Sequence, residues 1–232
     1  MNPKEYAQLE QSLMANAAKL TDQEQIELAE WNCGAAKDFI ASGNPKAGHR
    51  LLGKTAELFG KHGETWAILG KTYELLGQHH LALAYIRKAA TMLPADGKIM
   101  GLLGLTHYRA NDLLAALAVL EKAVTLNSPT GITFTLLAVV KDELHHDKNQ
   151  IEALSRRAVE LSPDCLESWQ WLAAFLESIG RHEESDQAHA RYCALMLAQN
   201  VAERKPLGTL LRRAWHALKT KLWPPLEYPM PN

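Results

Sequence analysis

Little in this chain could carry chemistry unaided. Its 232 residues include three cysteines, Cys33, Cys165 and Cys193, with no Cys-x-x-Cys among them. So sparse and odd a set excludes a disulfide framework and a thiolate zinc site, and it suits reduced thiols in a cytosolic protein. Net charge is missing as well, since 25 Lys and Arg face 26 Asp and Glu, leaving −1. No global field draws the chain to nucleic acid or to an anionic surface. No stretch approaches the roughly 18–20 consecutive apolar residues of a membrane helix. The first twenty residues, with Lys4, Glu5 and Glu10, lack the apolar centre of a secretory signal. The expected location is the cytoplasm. Phosphate-binding glycine loops and His-Glu-x-x-His spacings are absent from the sequence. The pairs His79-His80 and His145-His146 fall at expected turns and point in different directions, so they read as solvated. Nothing sets a base beside any cysteine. No cofactor, metal ligand or catalytic group can be named, and the chain reads as non-enzymatic.

What is present is a pattern. Between Gly63 and Asp96 stand Trp66, Leu69, Gly70, Tyr73, Gly77, Ala82, Ile86, Ala89 and Pro94. Trp66, Leu69 and Tyr73 share one helical face at i, i+3 and i+7. Gly70 and Ala82 are small enough for two helices to approach closely. Gly77 suits the reversal between them, and Pro94 cannot continue the second. The expectation is a helical hairpin. One hairpin cannot bury its own apolar face, so others must flank it.

These spaced residues fit W-x2-L-G-x2-Y, then A-x3-F with Ile in the Phe place, then a closing proline. The segment resembles a tetratricopeptide repeat. The resemblance implies an all-α fold, a right-handed solenoid of stacked hairpins. Further copies are expected at about 29–62, 97–130, 132–165 and 166–202, with a one-residue slip near Gly131. A helix over 3–20 precedes them, and Thr21 with Glu24 forms a capping box for the next helix. Pro45 suits the first turn of its helix, and Asp164 with Glu167 is a cap for the last repeat. From Leu207 the apolar residues form one stripe beside Arg212, Arg213, Lys219 and Lys221, which predicts a basic amphipathic helix over 205–223. Residues 224–232 hold four prolines and are expected to be extended.

In this family the first helix of each pair lines a concave groove that holds partner segments. By that resemblance the partner-binding residues are Lys71, Lys98, Leu105, Tyr108, Arg109, Leu136, Val140 and Gln170, an apolar patch among charges. Trp171 lies off the consensus face and is a candidate for a repeat junction or for partner contact. Chaperone adaptors of the family grip a C-terminal carboxylate. The corresponding places here, among them Ala67, Leu102, Cys33 and Ile68, lack the donors. The expected function is a cytoplasmic scaffold or adaptor holding a protein or peptide, with the chaperones of bacterial secretion systems as a narrower version. One alternative is a membrane-associated assembly factor recruited through 207–223. Another is a non-catalytic subunit of an enzyme complex. The final helix either caps the solenoid or docks on a membrane or partner.

Overall fold

The computed structural model describes residues 19–126 and 129–203. The helices expected over 3–20 and 205–223 and the tail 224–232 lie outside them, apart from Lys19 and Leu20. The described residues form ten α-helices: α1 (Asp22–Ala41), α2 (Pro45–Phe59), α3 (Gly63–Leu75), α4 (His79–Met92), α5 (Gly97–Arg109), α6 (Leu113–Thr125), α7 (Gly131–Glu143), α8 (Lys148–Leu161), α9 (Leu166–Ser178) and α10 (His182–Glu203). No strand occurs among them.

The helices pair in sequence order, and each pair packs on the next. Local chemistry sets several boundaries. Thr21 and Glu24 form the reciprocal box: the Glu24 amide donates to Thr21 Oγ1 at 3.3 Å, and the Thr21 amide donates to the Glu24 carboxylate at 3.0 Å. Pro45 opens α2, where its missing N–H costs nothing. Asp96 and Asp112 accept from the first-turn amides of α5 and α6. The cap expected at Asp164 is not made. Cys165 holds that place, and its thiol donates to the Glu167 carboxylate at 3.3 Å.

Five turns reverse the chain within the pairs. Each has one residue with positive φ: Gly43, Gly77, Asn111, His145 and Gly180. Glycine takes that conformation without steric cost, and Asn and His are among the residues that tolerate it. These residues are 34 apart as far as His145 and 35 apart from His145 to Gly180. The extra residue therefore lies in the turn after His145, ahead of α8. The slip expected near Gly131 is displaced, because Gly131 opens α7 as Gly63 and Gly97 open α3 and α5.

A common interior runs through the stack. In two of the pairs a glycine on the first helix faces a larger side chain on its partner. An added Cβ on Gly70 would lie 2.4 Å from Ile86 Cγ1, and one on Gly104 would lie 2.5 Å from Leu120 Cδ2. Ala138 and Ala173 occupy the same place in the later pairs and are buried. The two consensus tryptophans act as tethers: Trp66 Nε1 donates to the Gly60 carbonyl at 2.7 Å and Trp169 Nε1 to the Pro163 carbonyl at 2.9 Å. The rings of His49, Tyr73, Tyr85 and Trp66 stack in sequence, with Lys88 over the last. Burial pushes the Tyr73 hydroxyl up to about 12.

On the outside, α8 is joined to the α9–α10 turn by a four-membered ion network of Glu152, Arg156, Arg181 and Glu184. The hydrogen bond from Arg156, and then that from Arg181, holds the Glu152 carboxyl below its ordinary value, although its partial burial opposes this. A lowered pKa in the folded state stabilises the fold above the unfolded value, and this contribution is lost as pH falls through the folded one. Glu152→Gln should therefore lower the melting temperature at neutral pH. The difference from wild type should vanish well below 4.5, the ordinary value of this carboxyl. Melting curves across pH check this.

Candidate functional site

The first helices α1, α3, α5, α7 and α9 lie side by side, and side chains tie each of the later ones to the next. Glu74 Oε1 accepts from Arg109 Nη1 at 2.7 Å, joining α3 to α5. Tyr108 Oη donates to Glu143 Oε1 at 2.6 Å, joining α5 to α7. Thr135 Oγ1 and Ser168 Oγ are 2.8 Å apart between α7 and α9. Close approach is built from small residues here too: a Cβ on Gly101 would meet Thr133 Oγ1 at 2.4 Å.

These ties fix which side of each first helix is shared. One side, with Leu69, Tyr73, Leu103 and Leu172, is buried against the partner helices. The other is open. Lys71, Lys98, Arg109 and Gln170 are exposed there, and Leu105 and Tyr108 are half-buried. Of the eight residues expected on the basis of the family, these six stand on the open side.

Leu136 and Val140 do not. They are 9% and 0% exposed, packed with Ala116, Leu120 and Leu137. The displaced slip is the cause. A shift of one residue along a helix turns the side chain by about 100°, which carries a surface place into the core. With the register set at Gly131, the corresponding residues are Thr135, Val139 and Asp142. Thr135 is buried against Ser168, while Val139 and Asp142 are half-buried. The signal was the regular run Gly63, Gly97, Gly131, together with Ala138 standing 34 residues after Gly104. Sequence reasoning also passed over Leu75, 62% exposed at the C-terminal end of α3.

Two of the six carry a second load. Arg109 is half-exposed and anchors Glu74, whose side chain is only 3% exposed. The same oxygen, Oε1, also lies 2.9 Å from His79 Nδ1, while Oε2 is buried without a hydrogen-bond partner. Tyr108 is bound to Glu143, and that hydrogen bond, with burial, pushes its hydroxyl up to about 12. Both residues therefore set the spacing of the repeats as well as lining them. Trp171 belongs to the fold: it is half-buried, its Nε1 donates to Ser155 Oγ at 3.0 Å, and its ring stacks on Phe175.

Among the described residues no group of three or more His, Cys, Asp or Glu is placed to hold a metal ion. No described helix is long and apolar enough to cross a membrane. The geometry offers a continuous surface of mixed polarity.

The family model described as tetratricopeptide repeat matches residues 63–96. No curated protein sequence matches the chain. Solved structures with the same fold include PilF of Pseudomonas aeruginosa, at 17% identity and a TM-score of 0.60, covering 87% of this chain and 94% of that one. PilW, titled a widely conserved type IV pilus biogenesis factor, has 16% identity and a TM-score of 0.59, covering 73% of this chain and 78% of its own. TTC0263 of Thermus thermophilus, titled a thermophilic TPR protein, has 21% identity and a TM-score of 0.56, covering 85% of this chain and 100% of its own. At these identities the likeness is one of fold. With the family pattern on residues 63–96 and the same hairpin recurring on both sides of it at 34- or 35-residue intervals, the described residues have the all-α fold of a tetratricopeptide-repeat solenoid.

Proposed function

We propose that the protein is a non-enzymatic adaptor that holds a segment of a partner protein in the concave groove formed by its first helices. One observation carries this reading: the side chains left open on α3, α5, α7 and α9 share a single side of the stack, while the remaining sides of these helices serve the interior. An apolar strip at Leu105 and Val139 rimmed by charged and polar residues suits a peptide segment, with burial giving affinity and the rim giving selectivity. The free thiols of Cys33, Cys165 and Cys193 suit work in the reducing cytoplasm. The same fold is found in a pilus biogenesis factor, which supports the narrower version of an assembly factor or chaperone for a bacterial export or surface machine.

Leu105→Arg is the direct test, because Leu105 is half-buried on the open side and makes none of the hydrogen-bonded ties between first helices, its remaining contact being with the edge of the Leu137 cluster. The tagged full chain and this variant, both shown folded by circular dichroism, are used to isolate partners from the source cells. The variant should lose the main partner. Retention of the same partners in the same amounts contradicts the reading.

A further inference from the structure

The place occupied by Leu105 in α5 recurs in every first helix, and the five residues that hold it form an ordered row. From α1 to α9 they are Lys37, Lys71, Leu105, Val139 and Ala174. Two cations are followed by three apolar side chains. Lys71 and Ala174 are exposed, and Lys37, Leu105 and Val139 are half-buried. Neither lysine has an acidic partner among the described residues, whereas Arg109, Lys141, Arg156 and Arg181 are all paired. The row therefore presents two unneutralised charges at one end and an apolar strip at the other.

Packed helices are spaced about 8–10 Å apart, which sets the pitch of this row. A polyproline-type chain rises about 3.1 Å per residue with three residues per turn, so it returns a side chain to the same face roughly every 9 Å. The two repeats match. Resting on the groove reading above, we propose that this row selects a partner segment in extended, polyproline-type conformation bearing two acidic side chains three residues apart, followed at the same spacing by apolar side chains. The carboxylates sit over Lys37 and Lys71, and the apolar groups rest on Leu105 and Val139. This differs from the capture of a terminal carboxylate, since the charges are on side chains within the segment and the chain continues past both.

The probe is a set of synthetic fluorescent peptides built on Glu-Pro-Pro-Glu-Pro-Pro-Leu-Pro-Pro-Leu, titrated against the full chain by anisotropy. Companion peptides replace both Glu by Gln, replace both by Lys, or insert one extra proline between the acids. The parent peptide should bind the tightest of the four, and its affinity should fall as salt rises. The combined variant Lys37→Glu, Lys71→Glu should weaken the parent about tenfold and strengthen the lysine peptide, an exchange that damage to the fold cannot produce. The milder Lys37→Gln, Lys71→Gln pair should weaken the parent less. Equal affinity for the Glu and Lys peptides overturns the proposal, as does indifference to the lysine variants. So does failure of the parent peptide to bind. If the cellular partner still depends on Leu105 after such a result, the groove reading stands and only the charge order falls.

Discussion

Leu120→Ala should remove about 3 kcal/mol of stability. Leu120 is fully buried in α6, facing Gly104 of α5, with Leu136, Leu137 and Val140 in the same cluster. Truncating a buried leucine loses the transfer energy of its methyl groups and leaves a cavity, typically costing about 2–5 kcal/mol. Gly104 allows a sharper form of the test. On an open helix Gly→Ala gains up to about 1 kcal/mol. Here the new methyl would lie 2.5 Å from Leu120 Cγ and Cδ2. Gly104→Ala should therefore destabilise by about 1–3 kcal/mol, the usual cost of an overfilled core. Once Leu120 is alanine the obstruction is gone and the same glycine substitution becomes favourable. The double variant should then be more stable than the two losses added together would allow, by about 1 kcal/mol or more. Urea unfolding followed by circular dichroism measures all four proteins. Losses that simply add would mean that the two residues do not face each other.

Arg109→Met should cost about 2 kcal/mol, even though the arginine is half-exposed. Its partner Glu74 is nearly completely enclosed and has one carboxylate oxygen already without a hydrogen bond. Removing the cation leaves His79 as the remaining partner of a buried charge. Breaking a buried ion pair costs about 3–5 kcal/mol, and the solvent reaching Arg109 lowers that figure. Adding Glu74→Gln removes the stranded charge, so the double variant should recover most of the loss. If Arg109→Met alone unfolds at the wild-type urea midpoint, the tie between α3 and α5 has no energetic weight. The pair also bears on how binding variants are read. Substitutions at Arg109 or Tyr108 perturb repeat spacing, so a lost partner there does not identify a contact. Lys71 and Lys37 make no such tie among the described residues, and Leu105, which packs on the Leu137 cluster, is read only in a variant shown to be folded.

The fold was largely legible because the family pattern encodes physical requirements that recur at a fixed interval. Trp66, Gly70, Tyr73, Ala82 and Ile86 each meet one demand of a helical hairpin, and Gly43, Gly77 and Gly180 mark three of the five reversals. The capping box at Thr21 and the proline at Pro45 were readable for the same local reason. Register within α7 was harder. Ser128-Pro129 falls one residue later than the pattern asks, which suggested a slip at that junction. The extra residue lies instead beyond His145, in a turn whose length the core does not constrain. That single displacement moved Leu136 and Val140 from the interior, where they pack, to a surface they do not reach. Ties such as Glu74 with Arg109 and Tyr108 with Glu143 link residues 35 apart. No local pattern marks them, because each depends on the offset between neighbouring first helices. Of the two readings open for Trp171, the repeat junction holds, since its hydrogen-bond partner Ser155 sits on the last helix of the preceding repeat.

The central claim is that the protein works through the open side of its first helices. Site-specific photo-crosslinking in the source cells tests it most directly. A photoreactive residue is placed at Lys71 or Leu105 on that side, or at Arg87 or Lys122 on the exposed outer helices α4 and α6. One discrete crosslinked partner is expected from positions 71 and 105 and none from 87 and 122. The same partner captured from the outer positions, with nothing from 71 and 105, would contradict it.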